Sequence, residues 1–287
     1  MAKDLLLYRN SVCNRITRFL WYASLMLSGM VLLAGPAEAE QSNTELAKAA
    51  QNPIANMISL PLQNNTNFNY GPKNDVQNIL NIQPVLPFTL NEKWNIITRT
   101  IFPVMWEPVT EVYPGVYSNK TTFGLGDTTF TAFLSPGKPG KAIWGIGPVL
   151  LIPTATADEL GADKWGIGPS IVVLTMHGNW VIGSLFSNVW SFTGSGDQDV
   201  NLFTWQYFIN YNLPNGWYLT TAPILTANWE ADSGNQWTIP FGGGAGKIFR
   251  IGKLPVNALA SAYYNFEKPT NGPDWQLRLQ VQFLFPK

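Results

Sequence analysis

The stretch from Trp275 to Phe285 alternates with a period of two. Trp275, Leu277, Leu279, Val281, Phe283 and Phe285 are apolar. Gln276, Arg278, Gln280 and Gln282 between them are polar, and only Leu284 breaks the pattern. Successive side chains on a strand point to opposite faces, so this segment has one greasy face and one wet face. A soluble sheet hides its greasy face under another layer. A closed transmembrane barrel turns that face to lipid and keeps the wet face on its lumen.

The beginning of the chain favours the second solution. Arg9, Arg15 and Arg18 form a basic lead, Phe19 to Gly35 is apolar, and Ala37-Glu38-Ala39 is an A-x-A cleavage site. This is the pattern of a signal peptide over 1–39, with a mature chain from Glu40. A membrane anchor is the alternative, but the run is shorter than the ~20 residues a spanning helix needs. The sole cysteine, Cys13, would leave with the signal. The mature chain then has no disulfide, thiol nucleophile or thiolate metal site.

Composition agrees. Charged residues make up 13% of the chain, about half the share usual in soluble domains. The mature portion carries 14 basic and 16 acidic residues, which calls for no nucleic acid. Mean hydropathy is near zero although aromatics reach 13% and tryptophans number 12. A barrel whose inward half is polar averages out in this way.

Residues 40–56 differ from the rest of the mature chain. Ser42-Asn43-Thr44-Glu45 reads as a capping box, and Leu46 to Ala50 favours helix until Asn52-Pro53. A short periplasmic helix or lead is expected, with a plug inside the lumen as the alternative. From residue 57 onward twelve strands are expected, at about 57–70, 76–90, 94–106, 124–135, 142–153, 165–176, 179–192, 200–212, 216–230, 235–249, 255–267 and 274–286. Tight links such as Asn91-Glu92-Lys93, His177-Gly178-Asn179 and Leu213 to Gly216 alternate with longer ones at 107–123, 154–164 and 193–199. Short periplasmic turns and long external loops are the habit of outer-membrane barrels. The expected fold is therefore all-β, a closed antiparallel transmembrane barrel spanning 57–287. A soluble periplasmic β-protein is the fold-level alternative.

Tryptophans recur in same-face pairs: Trp94 with Trp106, Trp180 with Trp190, and Trp217 with Trp229. Two aromatic girdles would require this spacing. WGIGP occurs twice, at Trp144 to Pro148 and Trp165 to Pro169. On the barrel reading its glycines face the lumen and ease strand bending. Pro84, Pro103, Pro148, Pro169, Pro223 and Pro240 fall within strands. Proline cannot donate to a ladder, so bulges or weakened pairing are expected there.

Several blocks resemble one known bacterial family: QNPIANMISLPLQNN in the stretch opening at Ala49, NIQPVLPF (Asn81 to Phe88), NIITRTIFPV (Asn95 to Val104), GLGDTTF (Gly124 to Phe130) and the WGIGP repeat. It is the outer-membrane family grouped with "MetA-pathway of phenol degradation" proteins, often labelled transporter or "neuromedin U". The resemblance covers nearly the whole mature chain. It implies an outer-membrane barrel with a transport role linked to aromatic compounds, and it carries no catalytic residues.

Little in the chain suggests chemistry. The one histidine, His177, falls in an expected turn, whereas hydrolytic sites want a histidine beside its partner. Asp158, Glu159 and Asp163 form an acidic loop that reads as a solvated face. Gly242 to Gly246 lacks the context of a phosphate loop. No cofactor and no metal are expected. The expected partners are membrane lipid and lipopolysaccharide, the barrel-assembly machinery and a small solute.

The lumen is expected to be mainly neutral and polar. Candidates for its constriction are Arg99, Asp127, Arg278, Glu230, Glu267, Gln83, Gln206 and Gln280. An outward arginine at mid-bilayer would cost ~2–4 kcal/mol, which inward placement of Arg99 and Arg278 avoids. The arginines either line a pore or brace the barrel by pairing with Asp127 or Glu267. The expected function is an outer-membrane channel for small, largely neutral or aromatic solutes. A non-conducting structural or surface-interaction barrel and an outer-membrane hydrolase are the alternatives.

Overall fold

The computed structural model describes residues 42–108, 111–113, 116–117 and 120–286. The expected signal peptide, including Cys13, lies outside them. A capped helix, α1 (Asn43–Ala50), comes first, and its Ser42 and Glu45 form the reciprocal capping box. Fifteen strand segments then join one antiparallel sheet. Three staves of the barrel are each interrupted once, so the segments make twelve. They are β1 (Ile58–Tyr70), β2 (Asp75–Ile82 and Val85–Thr89), β3 (Trp94–Glu107), β4 (Thr122–Leu125 and Thr128–Pro136), β5 (Ala142–Ile152) and β6 (Lys164–His177). The second half comprises β7 (Trp180–Gly194), β8 (Asn201–Asn212), β9 (Trp217–Thr221 and Ile224–Asn228), β10 (Trp237–Ile251), β11 (Leu254–Glu267) and β12 (Trp275–Phe285). Each stave pairs with its chain neighbours, and β12 returns to β1 from Phe285↔Ile58 to Trp275↔Phe68, which closes the barrel. A small hairpin, Glu111–Tyr113 with Val116–Tyr117, sits in the loop after β3. No helix among the described residues is long and apolar enough to cross a membrane.

The faces follow the alternation. Trp144, Ile146, Trp165 and Ile167 are exposed on the outer surface, while Gly145 and Gly166 face inward and are buried. Trp94 and Trp144 meet edge to face near the tight-turn end, as do Trp229 and Trp237 near the long-loop end. Each of the six prolines singled out above coincides with a disturbance of the ladder, whereas pairing runs unbroken through Pro87 and Pro255. Pro84 separates the two segments of β2, and Pro223 those of β9. Pairing skips beside Pro103, Pro148 and Pro169, and the register slips between Ile239 and Pro240. In the two WGIGP copies the second glycine also has a steric role. A Cβ at Gly147 would run into the Ala132 carbonyl, and one at Gly168 into that of Asn188.

The expected short helix is present as α1, which packs Leu46 and Ala47 against Ile248, Leu284 and Met57. This explains the apolar residue at Leu284, the inward position that breaks the alternation of β12. One feature departs from expectation: the lumen has polar groups on both sides, Asn95, Thr131, Ser170 and Asn210 among those of β3 to β8, but it also carries an apolar patch. Ile97, Phe133, Val172, Leu174, Val181, Leu185 and Phe208 form a buried apolar cluster on the inner wall from β3 to β8. Its space is filled in part by Ile54, from the segment after α1.

Candidate functional site: the lumen

The wall built by β1, β2, β3, β11 and β12 is rich in polar groups. Gln63, Asn65, Asn67, Gln77, Gln83, Asn257, Arg278 and Gln282 are buried there. Buried polar groups require partners, and Arg278 has several. Its Nε donates to Asn65 Oδ1 at 3.2 Å, Nη1 to the Ala222 carbonyl at 2.8 Å and Nη2 to Gln276 Oε1 at 3.0 Å. The guanidinium also lies 4.8 Å from the Tyr263 ring centre, in cation–π geometry. The same contact with Ala222 holds the kink of β9 inward, where Ala222 N–H donates to Tyr263 Oη at 3.3 Å.

A chain of amides runs from this arginine toward the long-loop end. Gln276 donates to Asn67 at 3.0 Å, Asn67 to Gln77 at 2.7 Å, and Gln77 to Glu107 Oε2 at 2.6 Å. Every donor points the same way, so a buried cation and a buried carboxylate are joined by three aligned amides. Such chains polarise one another in a low dielectric. The register irregularity between Phe68 and Tyr70, with Asn69 at φ 57°, turns Tyr70 toward Glu107, which it also bonds.

Arg99 is placed differently. Its Nη2 donates to Gln83 Oε1 at 2.6 Å, and the group faces a cavity of about 130 Å³. Gln63, Gln83, Gln280 and Gln282 line one side, Gln206 the other, and Gln51 to Pro53 the floor. Arg278 lies within electrostatic reach of Arg99. Gln51 is anchored by exchanging amide hydrogen bonds with Asn212, at 2.9 and 3.1 Å.

Five of the eight candidates, Arg99, Gln83, Gln206, Gln280 and Arg278, thus gather around the centre of the lumen. The other three do not. Asp127 sits in the break of β4, where its carboxylate accepts the Ala155 and Ala162 N–H groups at 3.2 and 2.7 Å and clamps loop 153–163. Glu230 lies in the exposed turn after β9, and Glu267 is exposed at the end of β11. Neither arginine pairs with Asp127 or Glu267 as the bracing alternative expected, because those carboxylates sit at the long-loop end. Sequence reasoning missed Glu107 as a lumen residue, the floor at Gln51 and the apolar patch. The run Ile171-Val172-Val173-Leu174, apolar on both faces, was the signal for the last of these.

The long-loop end holds a wider crevice of about 730 Å³ lined by Asp158, Glu159, Asp163, Asp197 and Asp199. Lys164 pairs with Asp199 at 3.3 Å, and Ser195 donates to Asp163. At the same end, Lys268 and Asp274 pair at 2.6 Å. The Lys268 and Asn69 hydrogen bonds hold the Asp274 carboxyl below the usual carboxylate range. His177 is exposed at the end of β6, beside the turn expected to hold it. Among the described residues, no group of three or more His, Cys, Asp or Glu could hold a metal ion.

No protein-family model matches the chain, and no curated protein does. Solved structures do. The COG4313 outer membrane channel from Pseudomonas putida F1 is 16% identical, with 80% of this chain and 94% of that one covered, at a TM-score of 0.58. The CymD monoaromatic hydrocarbon channel is 9% identical over 85% and 92%, at 0.45. Outer membrane phospholipase A from Escherichia coli is 12% identical over 80% and 96%, at 0.39. Of these three, the first superposes closely enough to speak to the fold: the chain shares its closed β-barrel architecture.

Proposed function

We propose that this chain is an outer-membrane channel for small, largely neutral or aromatic solutes, closed at rest by residues 42–57. The observation that carries this reading is the two-sided lumen. One wall is a ladder of amides that can exchange hydrogen bonds with a passing solute, and the facing wall carries an apolar cluster among its polar groups. A barrel built only for structure would gain more by filling its centre with packed side chains. Here a cavity persists beneath Arg99, and the element that blocks the way is a short segment held by one amide pair and by apolar packing in two clusters. Grouping with the "MetA-pathway of phenol degradation" proteins belongs to this proposal, and rests on the sequence blocks from Ala49 to Pro169 that resemble that family.

The plug also supports a second reading, a non-conducting structural barrel. Single-channel recording separates the two. Residues 40–287, refolded and placed in a planar bilayer, should show rare discrete openings. A variant lacking 42–57 should be open most of the time. A folded barrel silent in both forms would overturn the channel reading. A hydrolytic role is disfavoured by the exposed, solitary His177 and would require lipid or peptide hydrolysis that His177→Ala abolishes.

A further inference from the structure

We propose that the central cavity binds the carboxylate of a small apolar organic acid, with Arg99 as the residue that holds it. The binding claim stands on the geometry of the cavity, and its extension to transport rests on the channel reading. A guanidinium has five N–H donors. Among the described residues that of Arg99 donates one hydrogen bond, to Gln83, and it borders open space. No carboxylate among them pairs with it. The lumenal acid Glu107 stands eight positions along the same strand, about 26 Å away in extended chain, and is bonded by Gln77 and Tyr70. The nearby formal charge is Arg278, of the same sign and committed to its own partners. The centre of the lumen therefore holds positive charge with no counterion among the described residues.

The surroundings define the rest of the ligand. Two residues from Arg99 on the same inward face is Ile97, and opposite Arg99 in the ladder is Val85. Both belong to the apolar cluster with Ile54 and Phe133. A carboxylate seated on the guanidinium, with the fork geometry such pairs favour, would leave an apolar or aromatic body against that cluster. The neutral amides of Gln280 and Gln282 can donate to the second oxygen or to ring substituents. An anion without a body, such as inorganic phosphate, would use only half of this site.

The test compares 4-hydroxybenzoate with its neutral isostere 4-hydroxybenzamide, using the full mature chain. Calorimetric titration in detergent should show at least tenfold tighter binding of the acid. Arg99→Gln should abolish that preference and weaken amide binding much less than acid binding, and Arg99→Lys should restore part of the preference. Heat-dependent gel mobility establishes that each variant is folded. An equal affinity for both compounds, a preference that survives Arg99→Gln, or equal displacement by phosphate would overturn the proposal. Flux into proteoliposomes tests the channel reading separately. Arg99-dependent binding without flux of either compound would retain the site and remove the channel. Flux of both compounds without discrimination would retain the channel and remove the site.

Discussion

The two lumenal arginines show how one residue type takes two roles within a single cavity. Arg278 is held by three hydrogen bonds, to Asn65, Gln276 and the Ala222 carbonyl, and by the Tyr263 ring. Arg278→Ala would leave buried acceptors without donors. It should lower unfolding stability in detergent by about 2–3 kcal/mol, read from urea denaturation, while Arg99→Gln changes stability much less. At the long-loop end, Asp274 has its carboxyl depressed first by the Lys268 hydrogen bond and then by that of Asn69. A group whose folded pKa is depressed contributes stability above its unfolded pKa, ~3.9 for aspartate. That contribution is lost as pH falls through the lower folded value. Amide protection in residues 268–274 should therefore fall on acidification below about pH 4, and Asp274→Asn should be insensitive over that window. A variant that keeps the parent's pH profile would refute the assignment.

At the scale of elements, α1 and the glycine strands have separable roles. Leu46 is fully buried against Ile248 and Leu284. Leu46→Asp would place a charge in that contact and should expel the helix. The expected outcome is a higher open probability in bilayer recordings, with the heat-dependent gel shift of the barrel unchanged. Loss of both would mean that the helix is a structural part of the barrel. Gly168 is expected to tolerate nothing larger, since a Cβ would occupy the position of the Asn188 carbonyl. Gly168→Val should fail to give a compact, heat-modifiable band, whereas Gly178→Ala, in an open turn at φ 55°, should give one at a modest strain cost. The strand boundaries were legible because alternation, paired tryptophans and turn residues all agreed on them. Those six proline positions were equally legible as ladder defects, since proline has no N–H to donate to a ladder.

For the whole molecule, closure follows from β1 meeting β12, and it leaves no free sheet edge. The full chain is expected to resist dodecyl sulfate when unheated and to shift mobility on boiling. A soluble β-protein would not do so. The long-range arrangement inside that wall was much less legible. An inward glutamine on β8 and another on β12 are 74 positions apart in sequence, and nothing local to Gln206 or Gln280 says that they line one cavity. Asp127, Glu230 and Glu267 satisfied the same parity argument as Arg99 but lie at the long-loop end. Parity gives the side of the wall, and height along the axis depends on strand tilt and stagger.

Local periodicity was enough to establish that this chain makes amphipathic strands, that they number about twelve, and which residues face outward. Those properties depend on neighbours two positions apart, so they are written in the chain directly. Tertiary structure alone decided that α1 and Ile54 enter the barrel, that the apolar inward residues of β3 to β8 converge, and that Arg278 is linked to Glu107 while Arg99 faces open space. Each of these depends on side chains from distant staves meeting across a closed ring. That meeting is set by the register of twelve pairings taken together and by no single strand.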